Sequence, residues 1–294
     1  MKILITGGNG FIARSLFEEL KDKYNIASYN SKDLNLLDSS KVFDCIKENK
    51  FDIVIHTATY DAASAFSTKD PAKVLENNLR MFFNIARCRD YFGKMIYFGS
   101  GAEFNRENWI PGMKEDYFDQ HVPSDQYGFS KYLMAKYTEL NSNIYNLRLF
   151  GVFGKYDDWR YRFIPNACVR AVLDLPITIN RNKFFDYLYI DDLVKIVEWF
   201  IENKPQRNIY NVCTGKVYDL NTLAWKIVKI AGKNLEVIIK TGGPGREYSG
   251  NNSLLLGELS GFEFTPMDDS IKRLLDWYSD NKHMIQNSDY RKFL

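Results

Sequence analysis

The sequence predicts an α/β fold: a doubly wound parallel sheet that carries a smaller C-terminal α/β lobe. An apolar run over residues 3–5 reaches a glycine cluster and changes at once into a helical pattern, as in a strand-turn-helix unit. Strand and helix patterns then alternate through the first half of the chain, which is typical of parallel sheets. With 294 residues, the chain is long enough to bury a large core.

The first half supplies the elements of this predicted sheet. After the opening strand, further strands are predicted over 25–29, 51–56, 94–98 and 143–149. Helices are predicted over 11–20, 39–48, 71–90 and 124–140, and Ser39 or Ser40 is expected to cap the second of them. We therefore expect a dinucleotide-binding Rossmann domain over residues 1–160, with its sheet completed by segments within 184–215.

The second half is less regular, and its patterns are mainly helical. Helices are predicted over 163–173, 191–202, 220–231 and 268–278, and the one over 191–202 is expected to be capped. A loop with Gly-Gly-Pro-Gly at 242–245 lies between the last two. Residues 161–294 are expected to form mainly a substrate-binding lobe.

Composition excludes several classes of function. A net charge of +2 predicts no nucleic-acid partner and no anionic membrane surface, and no apolar run approaches the ~18 residues of a membrane span. The first residues lack the apolar stretch of a secretory leader, so we expect a cytoplasmic protein. No cluster has metal-ligand spacing, so no metal is expected. Four distant cysteines are expected to be buried, reduced thiols: Cys45, Cys88, Cys168 and Cys213.

The glycine turn is typical of a dinucleotide site. Gly7 suits a tight turn, Gly10 permits close approach of a pyrophosphate, and Ala13 stands where a third glycine would let helix and strand pack. The N-terminus of the following helix offers free N–H groups to a phosphate. A plain strand-turn-helix without ligand remains an alternative for this motif taken alone.

A tyrosine and a lysine mark the predicted reaction centre. Tyr127 and Lys131 are four residues apart in a predicted helix, so both side chains share one face, and the ammonium is expected to lower the pKa of the phenol. Ser100 ends a predicted strand, where ligands bind in open α/β sheets. Two other pairs have the same spacing, at 132/136 and 278/282, but lack this context.

The chain resembles the extended short-chain dehydrogenase/reductase family, the NAD-dependent epimerase/dehydratase type that acts on nucleotide sugars. The motifs lie in family order along nearly the whole chain: Thr-Gly-Gly-Asn-Gly-Phe-Ile at 6–12, residues 56–58, Asn78, Gly-Ser at 99–100, Tyr127 with Lys131, Leu-Arg-Leu-Phe-Gly at 147–151, and Tyr-Ile-Asp-Asp at 189–192. Residues 33–38, Asp-Leu-Asn-Leu-Leu-Asp, are most similar to the 4-ketoreductases of the GDP-fucose synthase and dTDP-4-dehydrorhamnose reductase type.

The resemblance implies hydride transfer at C4 of a nucleotide-diphosphate sugar, for surface polysaccharide biosynthesis. It implies that Tyr127 protonates the C4 oxygen, that Ser100 hydrogen-bonds that oxygen, and that Lys131 holds the nicotinamide ribose. Further cofactor contacts are implied along the family motifs: Gly7, Gly10, Phe11, Ile12, Ala58 and Asn78.

Departures from the family pattern narrow the reaction. Dehydratases carry Asp-Glu directly after the serine, whereas Gly101 and Ala102 stand here and Glu103 comes one place too late. The cysteine and histidine that serve double epimerisation are replaced by Ala102 and, near the histidine position, Arg162. Plain reduction of a C4 ketone is therefore expected, with a C4 epimerase as the main rival and a catalytically silent dinucleotide-binding regulator as a third alternative.

The second strand bears on which dinucleotide is used. Its end, Tyr-Asn-Ser-Lys at 29–32, has no acidic residue to bind the ribose hydroxyls of NAD. Arg14 and Lys32 are candidate partners for a 2′-phosphate. NADP(H) is therefore the preferred cofactor, and NAD(H) stays open.

Substrate contacts are expected at the serine and in the C-terminal lobe. Beside Ser100, the candidates are Gly101, Ala102, Phe163, Asn166, Arg181 and Arg246, of which Arg246 is the favoured ligand of the diphosphate. Phe185 precedes Asp186 where relatives often have arginine. His56 is expected to be a packed core histidine, and His121 is a weaker candidate for the site. A homodimer is common among relatives but has no support in this sequence.

Overall fold

The computed structural model describes residues 1–64 and 67–286, which form twelve strands and ten α-helices. The strands are β1 Lys2–Thr6, β2 Asn25–Tyr29, β3 Ile53–His56, β4 Lys94–Ser100, β5 Ile144–Leu149, β6 Gly151–Phe153, β7 Ile177–Arg181, β8 Phe184–Tyr189, β9 Ile209–Val212, β10 Val217–Asp219, β11 Val237–Thr241 and β12 Glu247–Tyr248. The helices are α1 Phe11–Leu20, α2 Ser39–Asn49, α3 Val74–Ala86, α4 Gln126–Glu139, α5 Phe163–Val172, α6 Ile190–Glu202, α7 Leu220–Ile230, α8 Ser253–Glu258, α9 Met267–Asp280 and α10 Lys282–Gln286.

The main sheet has six strands in the order β2-β1-β3-β4-β5-β9, all parallel. Because successive side chains alternate between faces, Ile3 and Ile5 of β1 enter one core and Leu4 enters the other. Helices α2, α3 and α4 pack side by side, and α1 packs against α6. The predicted doubly wound α/β fold is confirmed. Strand order reverses between β1 and β3, the place where such sheets bind ligands.

The C-terminal half contributes to both parts of the molecule. Strand β9 completes the main sheet beside β5, whereas β8 pairs with β6, β10 and β12 in a small sheet. Strands β7 and β11 form a separate parallel pair. The division of the chain at residue 160 stays a prediction, since β6 lies before that point and joins the small sheet.

The segment that follows β4 joins the two parts. Met113 pairs with Gly250, accepts a hydrogen bond from Asn251 N–H at 2.8 Å and donates its own N–H to Ser249 O at 3.2 Å. Its side chain is fully buried in a cluster with Phe104 and Tyr248. The C-terminal lobe is therefore assembled from sequence segments about 140 residues apart.

The structure corrects several predicted details. The N-cap of α2 is Asp38, whose carboxylate accepts the Lys41 N–H at 3.1 Å, and not Ser39 or Ser40. The predicted helix over 71–90 is a 3₁₀ turn at Pro71–Lys73, then α3, then a 3₁₀ turn at Arg89–Tyr91. Helix α6 begins one residue early and has no side-chain cap, since its N-cap is Tyr189. The short strands of the lobe were not predicted.

The four cysteines largely agree with the burial that the sequence predicts for them. All four thiols are free, and Cys88, Cys168 and Cys213 are buried; Cys45 is half-buried, which corrects the prediction for that residue. Within the described ranges, none of the helices combines the length and the apolar character that crossing a bilayer requires.

Candidate active site

The glycine turn lies against the loop that follows β3. Gly7 has a φ of +71°, and a Cβ there would lie 2.9 Å from the Cα of Ala58. The Gly10 N–H closes the turn on Gly7 O at 2.8 Å. Since Gly10 has no side chain to cap α1, the first N–H groups of this helix stay available to an anion. Phe11 and Ile12 open the helix, half-buried against the main core. This turn fits a dinucleotide pyrophosphate.

Ser100 ends β4 and is held by its neighbours. Its Oγ accepts the Ala102 N–H at 3.1 Å, and its own N–H donates to Glu103 Oε1 at 3.0 Å, which forms a capping box. The predicted substrate residue Ala102 is only 1% exposed, so its backbone positions Ser100 in this structure. These two bonds fix where the serine hydroxyl lies.

Glu103 anchors this turn from inside the sheet. Its carboxylate pairs with Arg148 Nε of β5 at 2.6 Å and accepts bonds from Asn146 Nδ2 at 3.2 Å. Glu103 and Arg148 are fully buried. A carboxylate committed in this way has no access to a substrate in the pocket, which agrees with the expectation that the chain lacks the dehydratase acid/base pair.

Helix α4 brings Tyr127 and Lys131 to the same pocket. Asp125 caps the helix by accepting the Gly128 N–H at 2.9 Å. Lys131 is 6% exposed; its Nζ donates to Phe98 O of β4 at 2.8 Å and lies 5.9 Å from the centre of the Tyr127 ring. The Tyr127 phenol also interacts with the Ser100 hydroxyl, so the structure brings the three predicted catalytic side chains together.

The predicted lowering of the Tyr127 pKa by the ammonium is wrong for this structure. Loss of solvation raises the pKa of the phenol, and the Asp61 carboxylate raises it further. The interaction with the Ser100 hydroxyl opposes this shift by lowering the pKa, and so do the charges of Arg162 and Arg106. Burial disfavours the charged form of the lysine too, and therefore lowers the pKa of Lys131 from 10.5 to about 8.

Sequence reasoning missed several charged groups around this phenol. Asp61 lies in the loop after β3, and its carboxylate is 3.8 Å from an Arg162 nitrogen. Arg106 pairs with Asp125 at 3.2 Å, on the lobe side of the tyrosine. Their sequence context contains no family motif, and only the fold brings loops 58–64, 105–125 and 156–162 to one place.

A second tyrosine at the serine was also missed. Tyr248 of β12 is 9% exposed, and its hydroxyl lies 3.4 Å from Ser100 Oγ. Its ring stacks on Trp109 with centroids 4.2 Å apart. A Cβ on the predicted substrate residue Gly101 would lie 2.7 Å from Tyr248, so glycine is needed there. The dipeptide Glu-Tyr in a glycine-rich loop gave no signal for this contact.

Two predicted cofactor residues, Asn78 and Arg14, have other partners within the protein, and a third, Lys32, is exposed. The buried Asn78 binds the backbone of Tyr60, accepting from its N–H at 2.7 Å and donating to its carbonyl at 3.0 Å, and so holds the loop after β3. The exposed Arg14 guanidinium lies 3.7 Å from the centre of the Tyr156 ring. Lys32 is exposed in the turn after β2. Their contacts with a cofactor stay predictions.

The predicted substrate residues of the lobe are dispersed. Asn166 of α5 donates to Trp159 O at 3.0 Å and accepts from Arg170 at 2.9 Å, and Phe163 packs on the core. Arg246 Nη1 donates to the carbonyls of Arg106 and Glu107 at 2.9 and 2.7 Å. Arg181 is exposed at the end of β7. The structure brings only Arg246 next to the segment that borders Tyr248.

The two candidate histidines differ in burial. His56 is 4% exposed, its Nδ1 lies 2.9 Å from Thr6 Oγ1, and burial lowers its pKa to about 3, so it is the packed core histidine that the sequence predicts. His121 is exposed, with its ring 5.9 Å from that of Tyr117. In the part of the chain described, no group of His, Cys, Asp or Glu side chains could hold a metal.

Comparison with known proteins identifies the family. The model of the NAD dependent epimerase/dehydratase family matches residues 3–213. GDP-L-colitose synthase of Yersinia pseudotuberculosis is 23% identical, over 96% of this chain and 99% of its own length.

Solved structures of similar sequence share the fold. GDP-mannoheptose C4 reductase from Campylobacter jejuni, with NADP bound, has a TM-score of 0.82 and 22% identity, covering 94% of this chain and 98% of that one. UDP-glucose 4-epimerase from Thermotoga maritima, with UDP-glucose, has a TM-score of 0.82 and 20% identity, covering 96% and 100%. The prediction made from the ordered motifs is confirmed: the chain belongs to the NAD-dependent epimerase/dehydratase family.

Proposed function

We propose that this protein reduces the C4 ketone of a nucleotide-diphosphate sugar with NADPH. The observation that carries the proposal is the convergence of Ser100, Tyr127 and Lys131 at the carboxyl end of β4, on the same edge of the sheet as the glycine turn that follows β1. Two similar proteins, GDP-L-colitose synthase and GDP-mannoheptose C4 reductase, support a reductase of this class. The same proposal includes the cytoplasm as its location, with the nucleotide sugar as partner.

The residues divide the chemistry between them. When bound, NADPH supplies the hydride. Tyr127 gives its phenolic proton to the C4 oxygen as negative charge develops there, and Ser100 donates a hydrogen bond to the same oxygen. The Lys131 ammonium, already held in the pocket by Phe98 O, binds the nicotinamide ribose and stabilises the phenolate that remains.

The end of β2 supports NADPH over NADH. The nearest acidic residue beyond the strand is Asp33. Its carboxylate accepts a hydrogen bond from the Asn30 N–H at 2.9 Å and so caps a turn within the protein. Lys32 in the same turn is exposed and can reach a 2′-phosphate, as can Arg14 if it leaves the Tyr156 ring. NADH is therefore expected to be the weaker cofactor.

A panel of nucleotide-diphosphate 4-keto-6-deoxy sugars tests the proposal, with NADPH and NADH oxidation followed in parallel. We expect stoichiometric NADPH consumption with at least one substrate, and a fall of more than about 100-fold in kcat for Tyr127→Phe. Tyr132→Phe is the matched control, since that hydroxyl binds Asp119 on another face of α4.

Two results would overturn the proposal. Interconversion of a nucleotide sugar with its C4 epimer, without net use of NADPH, identifies an epimerase, as in the Thermotoga relative. Full activity in Tyr127→Phe would remove the catalytic role of the phenol.

A further inference from the structure

The serine hydroxyl lies among more hydrogen-bonding groups than the proposed reaction requires. Ser100 Oγ has the Ala102 N–H at 3.1 Å, the Tyr248 hydroxyl at 3.4 Å and the Tyr127 phenol as neighbours. A hydroxyl can accept two hydrogen bonds and donate one. The Ala102 N–H occupies one acceptor position of Ser100 Oγ. One acceptor position and the serine proton then remain for the hydroxyls of Tyr248 and Tyr127.

We propose that Tyr248 is a positioning residue that donates its hydroxyl proton to Ser100 and thereby directs the serine proton toward Tyr127 and the C4 oxygen. This inference rests on the proposed ketone reduction. With the Ala102 N–H and the Tyr248 O–H filling both acceptor positions, the only remaining role of the Ser100 hydroxyl is to donate. A donor that itself accepts a hydrogen bond is polarised and becomes stronger, which matters most when charge develops on the substrate oxygen.

The surroundings of Tyr248 hold its hydroxyl in place. The ring stacks on Trp109 at 4.2 Å and contacts Phe150 with centroids 5.2 Å apart. Trp109 is fixed in turn, because its Nε1 donates to Gly101 O at 3.1 Å. Gly101 leaves room for the ring, since a Cβ there would lie 2.7 Å from the Tyr248 hydroxyl. The position of the Tyr248 hydroxyl beside Ser100 therefore depends on the glycine at position 101.

The opposite arrangement makes contrary predictions. Tyr248 also has the Leu149 carbonyl at 3.5 Å as an acceptor. If Tyr248 donated there, Ser100 would donate to Tyr248, and its proton would point away from the ketone. Removal of the Tyr248 hydroxyl would then release the serine proton, so activity would be kept or would increase.

Kinetics of Tyr248→Phe separate these cases. We expect kcat to fall about fivefold to tenfold with little change in KM, because the bond matters most in the transition state. In a Ser100→Ala background, Tyr248→Phe should cost no more than about twofold, since its effect passes through the serine. Tyr117→Phe is the matched control: that hydroxyl, in the same aromatic cluster, binds Asn108 O at 2.8 Å. A rise in KM alone, or additive losses in the double variant, would overturn the proposal.

A second measurement needs no substrate. The pKa of Tyr127 can be followed by NMR of protein labelled at the tyrosine ζ-carbons, with the signal assigned through Tyr127→Phe. The Ser100 interaction lowers this pKa, so weakening the serine as a donor in Tyr248→Phe should raise it by roughly 0.5 to 1. An unchanged or lowered pKa contradicts the proposal.

The two measurements keep the inference and the proposed function distinguishable. If no 4-keto sugar is turned over but the Tyr127 pKa rises in Tyr248→Phe, the hydrogen bonds from Tyr248 to Ser100 and from Ser100 to Tyr127 are supported and the proposed function is wrong. If the wild-type protein reduces a 4-keto sugar and Tyr248→Phe changes neither kcat nor the Tyr127 pKa, the proposed function is supported and only the role of Tyr248 is wrong.

Discussion

The N-terminal half and the C-terminal lobe hold their candidate site residues in different ways. At the glycine turn and along α4, the key groups are closely packed: Gly7 lies against the half-buried Ala58, and the ammonium of Lys131, a residue only 6% exposed, binds Phe98 O. In the lobe, the predicted ligands Arg181 and Arg246 are exposed on loops and strand ends. The glycine turn and the Lys131 pocket are therefore preorganised at a cost in stability, whereas Arg181 and Arg246 keep their charges at the surface at little cost.

Lys131→Met tests this cost and should produce the largest effect. Loss of the ammonium is expected to lower kcat/KM more than about 100-fold, because the nicotinamide ribose loses the group proposed to bind and orient it. The ionised Lys131 destabilises the cofactor-free fold, since its pKa falls from 10.5 to about 8 on burial. Relative to the variant, the wild-type protein should gain on the order of 3 kcal/mol of unfolding free energy between pH 8 and pH 10.5, where only the unfolded chain keeps the proton.

Denaturant unfolding at several pH values measures that gain. Lys136→Met is the control, because that side chain is exposed and pairs with Asp119 and Glu139 at the surface. A constant difference in stability between wild type and Lys131→Met across this pH range would show that burial of the ammonium costs nothing.

Gly7→Ala sharpens the comparison at the glycine turn. The new Cβ would lie 2.9 Å from the Cα of Ala58, at a φ of +71° that alanine adopts with strain. We expect a loss of about 1–3 kcal/mol of unfolding free energy and more than roughly tenfold weaker NADPH binding. Gly242→Ala is the control, since nothing lies within 4 Å of its Cβ position. Calorimetric titration with NADPH checks both variants; equal affinities would argue against a pyrophosphate site at Gly7.

Arg246→Ala tests the lobe side. Its Nη1 already binds two carbonyls, so the guanidinium is oriented at the edge of the segment that carries Trp109. We expect KM for the nucleotide sugar to rise about tenfold, while the Kd of NADPH stays unchanged. Arg181→Ala provides the second measurement, because Arg181, at the end of β7, is the other arginine predicted to bind the substrate. If neither variant changes KM, the diphosphate binds elsewhere.

His56, at the end of β3 in the N-terminal half, gives the smallest effect. Burial lowers its pKa from 6.5 to about 3, so below pH 6.5 the unfolded chain takes up a proton that the folded chain refuses. Unfolding free energy should fall by about 1 kcal/mol between pH 6.5 and pH 5.5 from this residue alone. His56→Asn should flatten that dependence, while His121→Asn, at an exposed position, should keep it. Parallel pH profiles for wild type and His56→Asn would refute the assignment.

The N-terminal half could be predicted from the sequence because its signals are local. Short strand patterns alternate with helical patterns through residues 1–149, and Gly7 and Tyr127 lie in motifs a few residues long. Errors arose where neighbouring caps compete: Asp38 outcompetes Ser39 and Ser40 at the start of α2.

The lobe could not be predicted in the same way because its contacts are long-range. Strand β12 has two residues, and β11 is mostly exposed, so neither has a burial pattern that the sequence would reveal. The contact between Ser100 and Tyr248 joins positions 148 residues apart, and that between Arg246 and Arg106 joins positions 140 apart. The sign of the Tyr127 pKa shift likewise depends on desolvation and on Asp61, which only the fold reveals.

The late position of β9 in the chain has a consequence for synthesis on the ribosome. Until Ile209–Val212 has emerged, β5 is an edge strand whose six residues are all buried in the finished protein. An unpaired edge of this kind is open to pairing with another nascent chain. Truncated products that end before residue 209 should therefore aggregate or need a chaperone.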